Sequence, residues 1–197
     1  MMLRSQAPAV EPSALSDISP LLQRMVILGE DWRFYSHSGI DAVELKERLG
    51  VPRMAGFWET VWAAWRQRDR VRGTSTITQQ LAKNLYFSPS RTAFRKGKEA
   101  VTAVRLERAL TKERILELYV NVAEWGPGVW GVQAASRVYF GRPPARLTRW
   151  QAATLAATLP HPRSSNPLHR PGRMAARRRL LLGLLDSLEN SEKKRRD

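Results

Sequence analysis

Arg72-Gly73-Thr74-Ser75-Thr76-Ile77-Thr78-Gln79-Gln80-Leu81-Ala82-Lys83-Asn84-Leu85-Tyr86 is the stretch on which the reading of this chain turns. It reads as a helix from Ser75 to Tyr86. Nine hydroxyl, amide or cationic side chains (Arg72, Thr74, Ser75, Thr76, Thr78, Gln79, Gln80, Lys83, Asn84) stand among few apolar ones. A helix built only for packing has no use for so many hydrogen-bonding groups. Left buried and unpaired, each costs about 1–3 kcal/mol. They are therefore expected to face water or to grip a polar ligand. Acidic residues bracket the stretch, Glu30-Asp31 upstream and Glu99 downstream. The combination predicts a site for sugars and phosphate.

Outward from that stretch, composition narrows the choices. A chain of 197 residues suits one domain, or a domain plus a small lobe. At that size it buries roughly 70% of its unfolded surface and needs no covalent staple. There is no cysteine, which excludes disulfides, thiolate metal sites and a cysteine nucleophile. His37, His161 and His169 are far apart and match no metal spacing. The net charge of +15 implies an anionic partner: nucleic acid, an acidic membrane surface or a phosphorylated substrate. No signal peptide is visible. The apolar runs Met25–Leu28 and Leu180–Leu185 fall far short of the roughly 20 residues that cross a bilayer.

The fold class expected is mainly α. Helices are expected over Leu21–Leu28, Asp41–Leu49 (stopped by Gly50 and Pro52), Phe57–Trp65, Ser75–Tyr86, Ala93–Ala109, Lys112–Val120 behind a Thr111 cap, Val132–Tyr139, an alanine-rich segment opened by Thr148–Gln151, and Met174–Leu188. A small hairpin is expected near Gly126–Val132. Residues 1–15 read as a loose arm, 16–190 as one domain, and 191–197 as a charged, frayed tail.

Glu30 and Asp31 precede Trp32, Phe34, Tyr35 and His37. A carboxylate among aromatics is partly desolvated and becomes a better proton acceptor near neutral pH. A plain helix-terminal carboxylate fits the same pattern equally well. Asp41 reads as a helix cap. Lys83, Arg91, Arg95, Lys96 and Lys98 place cations on both sides of a helix junction, where they can clamp a diphosphate. A solvated basic face is the alternative. Glu99 stands four residues after Arg95, so an ion pair along one helix accounts for it as readily as a role in chemistry. Trp58, Trp62 and Trp65 form one helical stripe, flanked by Arg53, Arg66, Arg68, Arg70 and Arg72. That pattern suits a core, or a helix lying in a membrane interface.

These residues resemble the five ordered motifs of the peptidoglycan glycosyltransferases, glycosyltransferase family 51. Glu30 to Asp41 resembles the first, Gly73 to Asn84 the second and Arg95-Lys96-Gly97-Lys98-Glu99 the third. Arg114 to Asn121 with Ala123-Glu124-Trp125-Gly126 resembles the fourth. Ala152 to Leu159 with Pro160, Pro162, Asn166 and Pro167 resembles the fifth. The resemblance implies a lysozyme-like fold with a larger helical lobe and a smaller membrane-facing lobe, about 42–72. It implies polymerisation of lipid II into β-1,4-linked glycan, inverting, with release of undecaprenyl diphosphate. Glu30 would be the base and Glu99 the second essential carboxylate. Lys83, Arg91 and Arg95 would neutralise the diphosphate. Ser75, Gln79, Gln80, Asn84, Asp31 and His37 would bind substrate. No cofactor is tightly bound in such enzymes, and Mg²⁺ or Mn²⁺ can serve at the diphosphate, near Glu99.

The partners implied are lipid II, the growing glycan chain, the membrane surface, and cell-wall synthesis and division proteins, with no nucleic acid. The place implied is the outer face of the inner membrane, held peripherally. No transpeptidase domain follows, so the chain resembles the monofunctional form. Two departures stand out: no N-terminal membrane helix is visible, and Val51–Arg70 is longer than usual and rich in tryptophan. That insertion is expected to strengthen membrane docking. The rival readings are a lysozyme-like hydrolase, which needs a general acid on a leaving sugar oxygen, and a basic nucleic-acid-binding protein, for which no recognition motif appears.

Overall fold

The computed structural model describes residues 11–52, 54–67, 73–87 and 93–196. Their elements, in order, are α1 (Pro20–Glu30), α2 (Ala42–Leu49), α3 (Phe57–Arg66), α4 (Ile77–Tyr86), α5 (Ala93–Ala109), α6 (Lys112–Val122), β1 (Glu124–Gly126), β2 (Val129–Trp130), α7 (Val132–Phe140), α8 (Arg149–Thr158) and α9 (Gly172–Lys194). The fold is mainly helical, as expected. β1 and β2 pair antiparallel and form the small hairpin anticipated near Gly126. The chain divides into two compact units, residues 1–32 with 116–197, and residues 33–115. One cut falls inside α6.

The first unit is built around α8. Every residue from Ala152 to Thr158 is buried, and a helix apolar on all sides belongs in a core. Its alanines let α1 and α9 pack against it closely. The two buried hydroxyls are satisfied within the helix: Thr154 Oγ1 donates to Trp150 O at 2.7 Å and Thr158 Oγ1 to Thr154 O at 2.9 Å. Thr148 and Gln151 close the capping box read from the sequence.

Two expectations at the chain ends are corrected. Residues 13–15, expected in a loose arm, are pinned. Asn121 Oδ1 accepts from Ser13 N at 2.9 Å, Asn121 Nδ2 donates to Ser13 O at 2.8 Å, and Glu117 Oε2 accepts from Leu15 N at 2.8 Å. The last helix does not stop at Leu188 but runs to Lys194. Its acidic residues find arginines from other elements: Arg149 holds Asp186 and Glu189, and Arg24 holds Glu192.

In the second unit α4 packs against α5, and α2 against α3. Asp41 caps α2 by accepting Glu44 N at 2.9 Å and also pairs with Arg33 Nε at 2.8 Å, which confirms it as a cap. Gly50, at φ 64°, ends that helix in the left-handed conformation. Gly39 at φ 97° sits where a Cβ would come within 2.9 Å of the Ala103 backbone, so the loop after Glu30 can approach α5 only through glycine. Thr76 Oγ1 then donates to Gly39 O at 2.7 Å, tying the start of α4 to the same loop.

Candidate active site

The polar helix α4 resolves into two sets of side chains. Thr76 caps it by accepting Gln79 N at 3.1 Å, and Gln79 Oε1 accepts Thr76 N at 3.1 Å in return. Thr78 Oγ1 donates to Glu107 Oε1 at 2.6 Å, and Lys112 Nζ reaches the same oxygen at 2.7 Å. Thr76, Thr78 and Gln79 are all buried. The expectation that such groups must face water or grip a ligand fails for these three, because the fold itself uses them. Gln79 was assigned to substrate by resemblance, yet its carbonyl oxygen closes the capping box. Gln80 Nε2 reaches Ser75 O at 3.4 Å. Lys83 is exposed, and Ser75, Gln80 and Asn84 are half-buried. His37 Nδ1 accepts Gly39 N at 3.2 Å, while its ring meets Phe34 edge-on at 6.4 Å.

On α5, Glu99 is 2% exposed and lies between two cations. Arg95 Nη1 contacts Oε1, and Lys96 Nζ stands 3.2 Å from Oε2. The ion pair of Arg95 with Glu99 expected from their spacing is therefore present. Lys96 Nζ also donates to Ser75 Oγ at 2.8 Å, joining the third motif to the second. Burial, then the like charges of Lys83 and Arg95, lower the Lys96 ammonium to about 8. Lys83, Arg95, Lys96, Ser75 and Glu99 thus form one cluster. Lys96, read from the sequence among the cations that can clamp a diphosphate, is not among the residues that the resemblance assigns to substrate, yet it sits in this cluster.

The side chains around Glu99 do not by themselves form a site for a divalent ion. The carboxylate already serves two cations, which repel a third. Among the described residues no group of three acidic or histidine side chains could hold a metal. Arg91 lies outside the described residues, as do Arg53, Arg68, Arg70, Arg72 and residues 88–90.

In the first unit, Glu30 is the last residue of α1, and its side chain is 9% exposed. Arg177 of α9 places Nη2 3.2 Å from Glu30 Oε1 and also donates to Gly29 O. Tyr119 of α6 is fully buried. Burial, with the charges of Glu30 and Asp31, holds its phenol well above the usual range, and Arg177 opposes them. Asp31 is 5% exposed. A carboxylate in such a place can accept a proton from a hydroxyl. Neither Arg177 nor Tyr119 carried a signal in the sequence as a partner of Glu30. Asn166, quoted within the fifth motif, is structural: its amide donates to Pro162 O at 2.8 Å and its carbonyl accepts Leu168 N and His169 N at 3.0 Å.

The chain is mainly helical, with a nearly buried carboxylate at a helix end in one unit and a cation cluster on polar helices in the other. The sequence model of the transglycosylase family matches residues 2–186. The chain belongs to that family. It is 46% identical over 154 residues to the biosynthetic peptidoglycan transglycosylase of Bordetella pertussis, covering 74% of this chain and 57% of that one. The protein of the same name from Laribacter hongkongensis is 45% identical over 150 residues, 74% of this chain and 59% of its own. The one from Marinomonas sp. is 42% identical over 167 residues, with 84% and 68% covered. The chain thus spans less than two thirds of the length of the first two.

The Lys96 shift fixes the sign of a pH effect. Between about 8 and the ordinary 10.5, the unfolded chain keeps a proton that the folded one has released. Stability therefore rises with pH across that window and is flat below it. The side chain is 44% exposed, so screening keeps the effect modest. In denaturant titrations, Lys96→Met is expected to be relatively most favourable below pH 8 and to lose ground to the parent as pH rises to 10. A parent–variant difference that stays constant from pH 7 to 10 would contradict the assignment.

Proposed function

We propose that this chain is a peptidoglycan glycosyltransferase that polymerises lipid II. The observation that carries the reading is the cluster of Arg95 and Lys96 around Glu99, reaching Ser75 and lying within the field of Lys83. Relatives 46% and 45% identical over 154 and 150 residues bear the name of biosynthetic peptidoglycan transglycosylases. Glu30 accepts the proton of the acceptor sugar's 4-hydroxyl. The hydroxyl oxygen forms its bond to the donor's anomeric carbon as the bond from that carbon to the lipid diphosphate breaks. Attack on the face opposite the leaving group converts the α-linked donor into a β-1,4 product.

The departing diphosphate is a good leaving group and needs its charge taken up more than it needs a proton. Lys83, Arg91 and Arg95, with Lys96 added from the cluster, supply positive charge. Glu99 fixes the cations and limits their mutual repulsion. Ser75, Gln80 and Asn84 bind sugar hydroxyls and phosphate oxygens. The hydrolase reading lacks an equivalent: cleavage of a glycan asks for an acid on the leaving oxygen, and the cluster presents cations.

The work takes place at a membrane surface, where the lipid tail of the substrate is held. No helix among the described residues is long and apolar enough to cross a bilayer. Support for interfacial docking comes from the second unit. Met54 is 96% exposed and Trp62 58% exposed, with the Arg66 guanidinium 4.5 Å over the Trp62 ring. Phe94 is exposed beneath Lys98 in the same way. Apolar side chains bearing cations suit anionic headgroups. The side chains of Trp58 and Trp65 lie outside what the structure describes.

With labelled lipid II in vesicles, the parent is expected to make long glycan strands. Glu30→Gln should cut the rate by about 10²–10⁴-fold. Release of soluble fragments from preformed glycan, with no strand growth, would overturn the reading in favour of a hydrolase. In sedimentation with anionic vesicles, Trp62→Ser should weaken binding by about threefold or more. Parent-like partitioning would remove that residue from the docking surface.

A further inference from the structure

We infer that Arg177 is the positioning residue for the Glu30 carboxylate; this rests on the reading of Glu30 as the base. Glu30 ends α1, where the last carbonyls of a helix lack helical partners. Arg177 satisfies one of them, Gly29 O, and the same Nη2 lies 3.2 Å from Glu30 Oε1. One guanidinium therefore bridges the backbone before Glu30 and the carboxylate of Glu30 itself. It cannot follow the carboxylate if that group rotates, because its other contact is to the main chain.

The aim of Arg177 is set by packing. One turn further along α9, Leu181 is 2% exposed. A Cβ built on Gly29 would meet Leu181 Cδ2 at 3.4 Å and Arg177 Nη2 at 3.5 Å. These are ordinary contact distances, so α9 packs closely against the end of α1. A guanidinium is planar and rigid, so it transmits that placement to the carboxylate. Tyr119 is buried, and the charges of Glu30, Arg177 and Asp31 all act on its phenol.

An ion pair held only for surface charge would be solvated and interchangeable. This one has a carboxylate 9% exposed and a guanidinium 33% exposed. A buried carboxylate held against a fixed donor keeps one orientation toward an incoming hydroxyl. Misplacement of a reacting group by about 1 Å can cost about 10²-fold in rate.

The test is lipid II polymerisation by Arg177→Met and Arg177→Lys, each made in the parent and in Glu30→Gln, with thermal melting of every variant. Arg177→Met is expected to lower kcat by about 10–100-fold with KM within about twofold. Arg177→Lys should recover part of the loss, since its ammonium reaches only one partner well. In the Glu30→Gln background, Arg177→Met should cause no further fall, because nothing remains to be positioned. Unchanged kcat in Arg177→Met, with Glu30→Gln inactive, overturns the inference alone. Equal losses in both backgrounds overturn it as well, since they mark a general structural role. Glu30→Gln with parent-like activity overturns both this inference and the base assignment. If Arg177→Met fails to fold, Arg177→Lys decides: lowered kcat at parent KM and melting temperature supports the inference, and parent kcat overturns it.

Discussion

A buried carboxylate must be met by positive charge, and Glu99 is the clearest case in this protein. Breaking a buried pair by removing one partner costs about 3–5 kcal/mol. Glu99 therefore holds Arg95 and Lys96 on the face of α5 from which Lys96 reaches Ser75. The cations in turn crowd one another, as the lowered Lys96 ammonium records. The result is a cluster poised between two needs. Its carboxylate demands cations, and its cations, with Lys83 beside them, favour a further anion. On the reading proposed above, a diphosphate answers the second need without disturbing the first.

The same constraint acts in the other unit. Glu30 also lies nearly buried and meets Arg177, which a backbone carbonyl fixes in place. The Glu30 carboxylate is held by an anchored guanidinium. The other is matched twice and serves as a counter-ion. On the reading proposed above, their environments, more than their identities, separate base from scaffold.

Much of this was legible in the sequence wherever the signal was local. The Thr148–Gln151 cap, the Gly50 stop, the Asp41 cap and the Arg95–Glu99 pair are all set by spacing along one helix, and each is found. Thr76 and Gln79 show the same capping pattern as Thr148 and Gln151. The polarity of the whole stretch points to water or a ligand, whereas at these two positions the backbone at the start of α4 takes up the polar groups. Arg177 could not be found this way: it stands 147 positions from Glu30, and only the packing of Leu181 on Gly29 brings it there. The length of α9 was hidden for the same reason. A tail of Glu189, Glu192 and lysines looks frayed until Arg149 and Arg24 are seen beside it.

The central claim is that Ser75, Lys83, Arg95 and Lys96 form a diphosphate cradle around Glu99. The most direct measurement is a titration of the isotopically labelled chain with inorganic pyrophosphate, followed by NMR of side-chain amino and guanidinium groups. The account predicts saturable shifts centred on Lys83, Arg95 and Lys96, and a Lys96 ammonium that titrates above 8 once the anion is bound. Saturable shifts confined to other basic residues, or a Lys96 titration unmoved by pyrophosphate, would contradict it.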